Sequence, residues 1–146
     1  MSLVSKEIVI GAGIEKFFDI VVDYARYPEF VPGIKGCRVW QVGGETHVEY
    51  DLDLQLRRIK YVLRHLEERP RRVSWSLVSS EVLKVSNGSW ELTPEGDGTR
   101  ARYTVEVQIA KLPLVPQVLV DKVTDELTRV QLPRTLAAFK ARAEQA

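Results

Sequence analysis

Residues 114–144 read LVPQVLVDKVTDELTRVQLPRTLAAFKARAE, and most of the remaining chain has to pack against this segment. Its apolar residues recur at steps of three or four, the spacing that places side chains on one face of an α-helix. Such a helix would be roughly 40 Å long, enough to cross a small domain. Pro116 stands in the first turn, where its missing N–H needs no partner, whereas Pro133 should bend the helix. The predicted buried stripe consists of Val115, Leu119, Val123, Leu127 and Val130.

The composition is that of an ordinary globular protein. Of 146 residues, 45% are apolar and 28% are charged, which predicts one domain spanning residues 1–146. A net charge of +1 does not favour direct nucleic-acid binding, which normally depends on concentrated positive charge. The single cysteine, Cys37, excludes an intrachain disulfide, and no window of 18 uncharged apolar residues predicts a transmembrane segment. The N-terminus lacks the features of a signal peptide, so we expect a soluble cytoplasmic protein, with a transient membrane contact left open.

Two short helices are predicted after the first strand. Residues 3–11 alternate loosely between apolar and polar and end in a Gly-Ala-Gly turn, which predicts a strand. Apolar residues at helical spacing over 14–22 predict a short helix that ends near Asp23. The segment 23–33 is divided by Pro28 and Pro32 into a helical turn and a stiff connection. Its aromatic residues, Tyr27 and Phe30, either plug the end of the core or line the mouth of a pocket.

Between Gly36 and Ile109, apolar residues alternate with polar ones, as in half-buried strands. Gly88, inside one of these runs, indicates a bulge or a close approach of two backbones. About six strands with short connections predict an antiparallel meander. A twisted sheet of this kind curls around the long helix, so the fold class is α+β. The alternating runs are 48–56, 59–64, 73–77, 90–92 and 103–109, with a hairpin end near 57–58 and a turn at 95–98.

Two segments resemble motifs of a known superfamily. Residues 22–33, VDYARYPEFVPG, are similar to the D-x-x-x-Y-P-x-F-x-P signature of coenzyme-Q-binding START-like proteins and their bacterial relatives of the ribosome-association toxin type. Residues 87–94 and 98–100, NGSWELTP and GTR, are similar to the G-x-W-x-F-x-P and G-x-T-R hairpin of the same branch, with Leu92 in place of an aromatic residue. The loop expected at 78–84 lacks the Gly-Pro-Phe-like turn of the ubiquinone-binding members.

The order of elements also resembles the START-like (SRPBCC) superfamily, which includes polyketide cyclases, plant pathogenesis-related proteins and lipid-transfer domains. This resemblance implies the helix-grip fold. In that fold a curved antiparallel sheet of about six to seven strands wraps around a long C-terminal helix, and two short helices follow the first strand. It also implies a hydrophobic small-molecule ligand, such as a quinone, lipid, isoprenoid or polyketide.

Few residues could carry catalysis. The chain contains two imidazoles and one thiol, those of His47, His65 and Cys37. His47 has the parity of the polar strand face and should be solvated, whereas His65 shares the parity of inward residues. Cys37 is best explained as a small apolar residue. Their spacing does not match a metal site, and Gly-x-Gly at 11–13 lacks the rest of a dinucleotide fingerprint. No catalytic residue, metal or cofactor is therefore predicted.

The inward residues of the sheet and helix are the candidate ligand-binding residues. A curled sheet over one helix seldom fills its own interior, and a mostly apolar cavity with a few tyrosine hydroxyls suits an apolar ligand. The same residues suit a plain hydrophobic core equally well, and the alternation does not separate the two interpretations. The candidates are Tyr27, Phe30, Tyr50, Leu52, Leu54, Tyr61, Leu63, His65, Trp75, Leu77, Trp90, Tyr103, Val105, Leu119, Val123 and Leu127.

Three hypotheses about function follow. The first is binding, transport or presentation of a hydrophobic small molecule between the sheet and the C-terminal helix. The second is a polyketide cyclase or aromatase, in which Tyr61 or His65 would move protons. The third is an interaction protein of the ribosome-association toxin type that acts through its surface, although the near-neutral charge argues against direct RNA contact.

Overall fold

The structure is a computed structural model that describes residues 2–54, 57–110 and 114–145. Its helical segments are α1 (Ile14–Val21), a 3₁₀ helix (Tyr24–Glu29), α2 (Gln117–Asp125), a π-helical segment (Glu126–Gln131) and α3 (Leu132–Glu144). Its strands are β1 (Ser2–Ile10), β2 (Ile34–Val42), β3 (Glu45–Asp53), β4 (Arg58–Glu68), β5 (Arg72–Ser80), β6 (Leu83–Glu95) and β7 (Gly98–Ile109).

These strands form one curved antiparallel sheet in the order β1-β7-β6-β5-β4-β3-β2. From β2 to β7 each strand pairs with the next in sequence, and β1 pairs with β7. This confirms the predicted meander and the α+β, helix-grip architecture. The turn predicted at 95–98 is also confirmed, since β6 ends at Glu95 and β7 begins at Gly98. The hairpin expected near 57–58 falls between β3 and β4, where residues 55 and 56 lie outside the described ranges.

The loop expected at 78–84 is much shorter in the structure. β5 continues to Ser80 and β6 begins at Leu83, so residues 81 and 82 alone connect them. The Ser80 hydroxyl accepts hydrogen bonds from the backbone N–H groups of Val82 and Leu83, at 3.1 and 3.0 Å. A serine side chain that accepts hydrogen bonds from backbone N–H groups in this way stabilises a tight turn. The polar composition of the segment had instead indicated a longer loop.

Gly88 allows the close approach that its position inside a strand predicts. A Cβ atom at Gly88 would lie 2.4 Å from a ring carbon of Trp75 and 2.4 Å from the carbonyl oxygen of Thr104. Trp75 is directly opposite Gly88 in the ladder between β5 and β6. The indole therefore occupies the space above the glycine on the face of the sheet that the helix covers, and only glycine leaves room for it.

The two short helices predicted after the first strand are confirmed. The apolar face of α1 buries Phe17, Phe18 and Val21 in the core. The 3₁₀ helix that follows contains Pro28 and buries Tyr24 and Tyr27. The Tyr27 hydroxyl donates a hydrogen bond to the backbone carbonyl of Val21. This contact joins the end of α1 to the 3₁₀ helix and holds the Tyr27 ring against the core.

The C-terminal helical stretch is long, as predicted, but it is not a regular α-helix. It spans 28 residues from Gln117 to Glu144 and has a π-helical turn in the middle, directly before Pro133. After Leu127 the next inward apolar residue is Leu132, five positions later, in agreement with the i→i+5 hydrogen bonding of a π-helix. None of the helices within the described ranges has the length and apolar content needed to cross a bilayer.

The prediction of the buried stripe is wrong at two positions. Leu119 is 39% exposed and Val130 is 42% exposed. A stripe extrapolated at 3.6 residues per turn continues through Val130, whereas the π turn moves that residue to the outside. Val123 is buried and Leu127 is half-buried, as predicted. The remaining buried apolar residues of the helix are Leu132, Leu136, Phe139 and Ala143.

Candidate functional site

A cavity of about 130 Å³ lies between the covered face of the sheet and the C-terminal helix. The sheet contributes residues from β1 to β7, and the helix contributes them from the π-helical segment and from α3. Several residues on the covered face, such as Tyr61, Trp75 and Tyr103, remain only half-buried. The helix therefore does not fill the concave side of the sheet, and an unoccupied volume remains at the centre of the fold.

Seven aromatic rings form a closed circuit on the wall of this cavity, which we call the aromatic belt. Two cross-strand pairs provide four of the rings, because His65 lies opposite Trp75 and Trp90 lies opposite Tyr103. All seven line the cavity, and their spacings are those of interacting aromatic pairs. In the order Tyr27, Tyr50, His65, Trp75, Tyr103, Trp90, Phe139 and back to Tyr27, successive ring centroids lie 6.2, 6.0, 5.9, 5.5, 4.5, 5.3 and 5.2 Å apart.

Tyr50 and His65 form a buried hydrogen-bonded pair within the aromatic belt. The Tyr50 hydroxyl lies 2.8 Å from Nε2 of His65, and within the described chain Nδ1 of His65 is buried without a partner. If the hydroxyl donates, the unpaired group is Nδ1–H alone; if Nε2–H donates, both Nδ1 and the hydroxyl proton are unpaired. Because unpaired buried polar groups are costly, the first arrangement is favoured and assigns the Nδ1–H tautomer.

This pair is neutral near physiological pH. Burial lowers the pKa of His65 to about 3, since the charged imidazolium would lose its hydration. Burial also raises the pKa of Tyr50 well above its ordinary value. Both groups are thus poor proton-transfer catalysts at pH 7, because an effective general acid or base has a pKa near the working pH.

Three hydroxyls on the cavity wall have no hydrogen-bond partner within the described chain, those of Tyr61, Ser86 and Tyr103. None of these oxygens is among the sealed, unpaired polar atoms, so each remains accessible. Burial raises the pKa of both tyrosines, and the nearby Tyr103 phenol contributes to the shift at Tyr61. They are therefore neutral donors that remain available to a bound molecule.

The helix side of the cavity is fixed by Gln131, the last residue of the π-helical segment. Its Nε2 donates to the backbone carbonyl of Pro32 over 2.5 Å and lies 3.4 Å from the Thr135 hydroxyl. This contact ties the helix to the connection between the 3₁₀ helix and β2. The amide lines the cavity and is buried, so the polar group that anchors the helix is also part of the wall.

Nearly the whole length of the chain matches a protein family. A family model described as polyketide cyclase/dehydrase and lipid transport covers residues 1–144. The chain belongs to this family. The match confirms the START-like resemblance read from the two sequence motifs.

Individual relatives agree with the family match. The ribosome association toxin RatA of Vibrio cholerae is 28% identical over 147 residues, covering 99% of this chain and 97% of the relative. The Zhui aromatase/cyclase of a Streptomyces species has a TM-score of 0.85 at 15% identity, covering 98% and 93% of the two chains. A START superfamily protein of Mycobacterium smegmatis has a TM-score of 0.77 at 22% identity, covering 98% and 97%. The two structures establish the fold.

In this family member the cavity brings together eleven of the candidate residues from β-strands, the 3₁₀ helix and the π-helical segment. Alternation identified the strand residues, because a period of two is a property of the extended backbone. The eleven are Tyr27, Tyr50, Leu52, Tyr61, Leu63, His65, Trp75, Trp90, Tyr103, Val105 and Leu127.

The other five candidates lie elsewhere. Leu119 and Val123 line a second cavity of about 110 Å³ beneath α2, with Arg57 at its edge. Leu54 is buried in the apolar cluster that contains Val123, and Leu77 packs at the boundary of the two core clusters. Phe30 contacts the ring of Phe139 at 5.1 Å and does not line the cavity.

Twelve lining residues were not predicted from the sequence, and five of them belong to the C-terminal helical stretch. The predicted stripe ended at Val130, so the inward positions of α3 were missed. Leu132, Leu136 and Phe139 are spaced by four and three, a helical signal that could have identified them. Val4, Val31, Ile34, Ile59, Leu83, Ser86, Val107, Thr128, Gln131, Leu132, Thr135 and Phe139 line the cavity and were not among the candidates.

The prediction for His47 is correct for the face of the strand and wrong for the solvation of the side chain. Its ring is half-buried on the outer face of the sheet, 6.0 Å from the Trp40 ring, and its Nε2 is sealed without a hydrogen-bond partner in the described chain. Cross-strand neighbours on both sides cover the imidazole, which strand parity alone does not reveal.

Cys37 is half-buried, and burial raises the pKa of its thiol to about 12. Within the described residues no cluster of three or more His, Cys, Asp or Glu side chains could hold a metal ion.

Proposed function

We propose that the protein binds a hydrophobic small molecule inside the aromatic belt. The observation that carries this proposal is a closed circuit of seven rings on the wall of a volume that the protein leaves unfilled. Rings of this kind offer large apolar faces, and burial of apolar surface contributes about 25 cal/mol per Å². Membership of a family that includes lipid transport supports the same conclusion.

The volume favours a guest of about one ring. An engineered apolar cavity of about 150 Å³ binds benzene, and the belt cavity measures about 130 Å³. A longer molecule, such as a polyketide, isoprenoid or prenylated quinone, requires the helix to move outward. The hydrogen bond from Gln131 to Pro32 would oppose that movement, so a single-ring group is the part of a ligand that this site accepts without rearrangement.

Binding by purified protein tests the proposal directly. Native mass spectrometry is applied to gently purified protein, alone and with added toluene, and toluene binding is followed by Trp75 and Trp90 fluorescence. A Leu127→Trp variant, which enlarges a lining residue, should lose toluene binding. The matched Val118→Trp variant on the same helix, at a position 62% exposed, should retain it. If wild-type protein carries no apolar molecule and binds no added toluene, the proposal is wrong.

A polyketide cyclase is a second candidate, favoured by the accessible hydroxyls of Tyr61 and Tyr103. These groups could donate protons to a folded poly-ketone chain. The directions of the pKa shifts at His65 and at both tyrosines favour binding over proton transfer. The measurement is cyclised product formed from a poly-β-ketone thioester. Catalysis that the Tyr61→Phe and Tyr103→Phe variants lose would support the cyclase, and undiminished catalysis in both would exclude these tyrosines as proton donors.

A further inference from the structure

The wall of the belt cavity carries hydrogen-bond donors but no ionic group. Within the described chain no Asp, Glu, Lys or Arg side chain lines it. Its imidazole, that of His65, has a pKa lowered to about 3 by burial and is neutral. An ionised ligand entering this site would exchange its hydration for apolar rings without meeting an opposite charge. That exchange is strongly unfavourable, so the wall discriminates against charge.

The two accessible phenols lie on β4 and β7, strands of the same sheet that are separated by β5 and β6, and the Tyr103 phenol is close enough to contribute to the raised pKa of Tyr61. Tyr61 on β4 stacks on Tyr50, with ring centroids 5.2 Å apart and planes inclined by 22°. Tyr103 on β7 lies between Trp75 and Trp90, at centroid distances of 5.5 and 4.5 Å. The ring contact of Tyr61 with Tyr50 and the two ring contacts of Tyr103 restrict the direction of both phenols. The two hydroxyls are therefore held in place before any ligand arrives, which reduces the entropy lost on binding.

The other hydroxyl groups and the imidazole of the belt are already engaged or sealed. The Tyr27 hydroxyl donates to the Val21 carbonyl, and the Tyr50 hydroxyl pairs with Nε2 of His65. Nδ1 of His65 has no partner in the described chain, but it is sealed from the cavity. Among the hydroxyls of the cavity wall, the phenols of Tyr61 and Tyr103 and the hydroxyl of Ser86 therefore remain free to donate within the described chain. The indole N–H groups of Trp75 and Trp90 are further donors on this wall.

We propose that the belt cavity selects uncharged planar ring compounds carrying a carbonyl-type oxygen, and that Tyr61 and Tyr103 donate hydrogen bonds to this oxygen. This inference rests on the proposed binding function and adds its ligand class. A planar ring packs between the belt rings, while the carbonyl oxygen accepts from donors that otherwise have no partner. An unmet buried donor is costly, so the oxygen contributes selectivity as well as affinity.

Three probes of nearly equal shape separate these requirements at pH 7. Acetophenone carries the carbonyl, α-methylstyrene replaces its oxygen with CH₂, and benzoate carries a negative charge. Titrations followed by Trp75 and Trp90 fluorescence and by amide NMR shifts give the three affinities. We expect acetophenone to bind about tenfold more tightly than α-methylstyrene, as one to two neutral hydrogen bonds provide. Benzoate should show no saturable binding.

Conservative variants then locate the donors. Tyr61→Phe and Tyr103→Phe should each reduce the preference for acetophenone by about threefold to tenfold while leaving the affinity for α-methylstyrene unchanged. Tyr24→Phe is the matched control, because the Tyr24 hydroxyl donates to Glu67 at 2.8 Å and Tyr24 does not line the cavity. This control should keep the full preference.

The outcomes distinguish the two proposals. If none of the three probes binds, the proposed function itself is wrong. If α-methylstyrene binds as tightly as acetophenone, or both tyrosine variants keep the preference, apolar binding stands and the assignment of the hydroxyls is overturned. Saturable binding of benzoate inside the cavity would overturn the selection against charge. The comparison of probes uses wild-type protein, so it decides the ligand class even if a variant fails to fold.

Discussion

The Tyr50 hydroxyl lies 2.8 Å from Nε2 of His65, and the two side chains are 4% and 5% exposed. Tyr50→Phe removes the donor and leaves Nε2 buried and unpaired. We expect this change to lower the free energy of unfolding by about 1–3 kcal/mol, measured by urea denaturation. The control is Tyr61→Phe, whose hydroxyl has no partner in the described chain and should cost about 0.5 kcal/mol or less. Equal losses in the two variants would contradict the buried pair.

Stability should depend on pH through His65. Burial lowers its pKa to about 3 in the folded state, whereas in the unfolded chain it is about 6.5. Between these values the unfolded state binds more protons, so the free energy of unfolding falls as the pH falls. The slope from this residue approaches about 1.4 kcal/mol per pH unit below pH 6, and its contribution is constant above about pH 7. Urea denaturation between pH 5 and pH 7.5 measures it.

A His65→Gln variant isolates this contribution. Carboxylates such as Glu7 and Asp51 have lowered pKa values and also reduce stability in acid, but they do so mainly below pH 5. The difference between wild type and the variant should therefore shrink steadily from pH 7 to pH 5. A difference independent of pH in this window would show that His65 ionises normally in the folded protein.

Gly88→Ala tests the close packing of Trp75. The new methyl group would lie 2.4 Å from the indole and 2.4 Å from the Thr104 carbonyl oxygen, so the ring or the strand must shift. We expect a loss of about 1–3 kcal/mol in the free energy of unfolding, together with a change in the near-ultraviolet circular dichroism of the tryptophans. Gly13→Ala is the control, because nothing lies within 4 Å of the added Cβ there and its φ of −65° suits alanine. Similar losses at both positions would argue against the Trp75 contact.

The sheet was predictable from the sequence because its signal is local. Alternation along 48–54 and 59–65 follows from the two-residue period of a strand, and it correctly directed Tyr50, Tyr61 and His65 to the covered face. Local patterns do not contain contacts between distant elements. The contact that closes the belt joins Phe139 of α3 to Tyr27 of the 3₁₀ helix, and no period within either segment predicts it.

The helix was predicted correctly in extent but not in register. A regular α-helical period places Val130 in the buried stripe. The π turn adds one residue, so that Val130 is exposed and Leu132 is the next buried apolar residue. Pro133 indicated an irregularity at this point, because proline has no backbone N–H to donate to the preceding turn of a continuous α-helix. The type of irregularity depends on packing: the π turn places Gln131 where its amide reaches the Pro32 carbonyl.

The register of the helix can be tested with two variants, because the structure and the sequence pattern disagree on which helix residues are buried. Phe139, absent from the predicted stripe, is 3% exposed and makes edge-on ring contacts with Phe17, Tyr27 and Phe30. Phe139→Ala should therefore lower the free energy of unfolding by about 3–5 kcal/mol, the usual cost of emptying a packed aromatic site. Val130→Ala should cost about 0.5 kcal/mol or less. Urea denaturation of both variants provides the measurement.

The same pair of variants also reports on the cavity. Removing the Phe139 ring opens the aromatic belt between Trp90 and Tyr27, and the cavity becomes larger unless the helix collapses inward. Naphthalene, with two fused rings, should then bind to Phe139→Ala more tightly than to wild type, whereas Val130→Ala should bind it as wild type does. If Val130→Ala is instead the more destabilised variant, the helix follows the regular α-helical period after all, and both the π turn and the belt that depends on it are wrong.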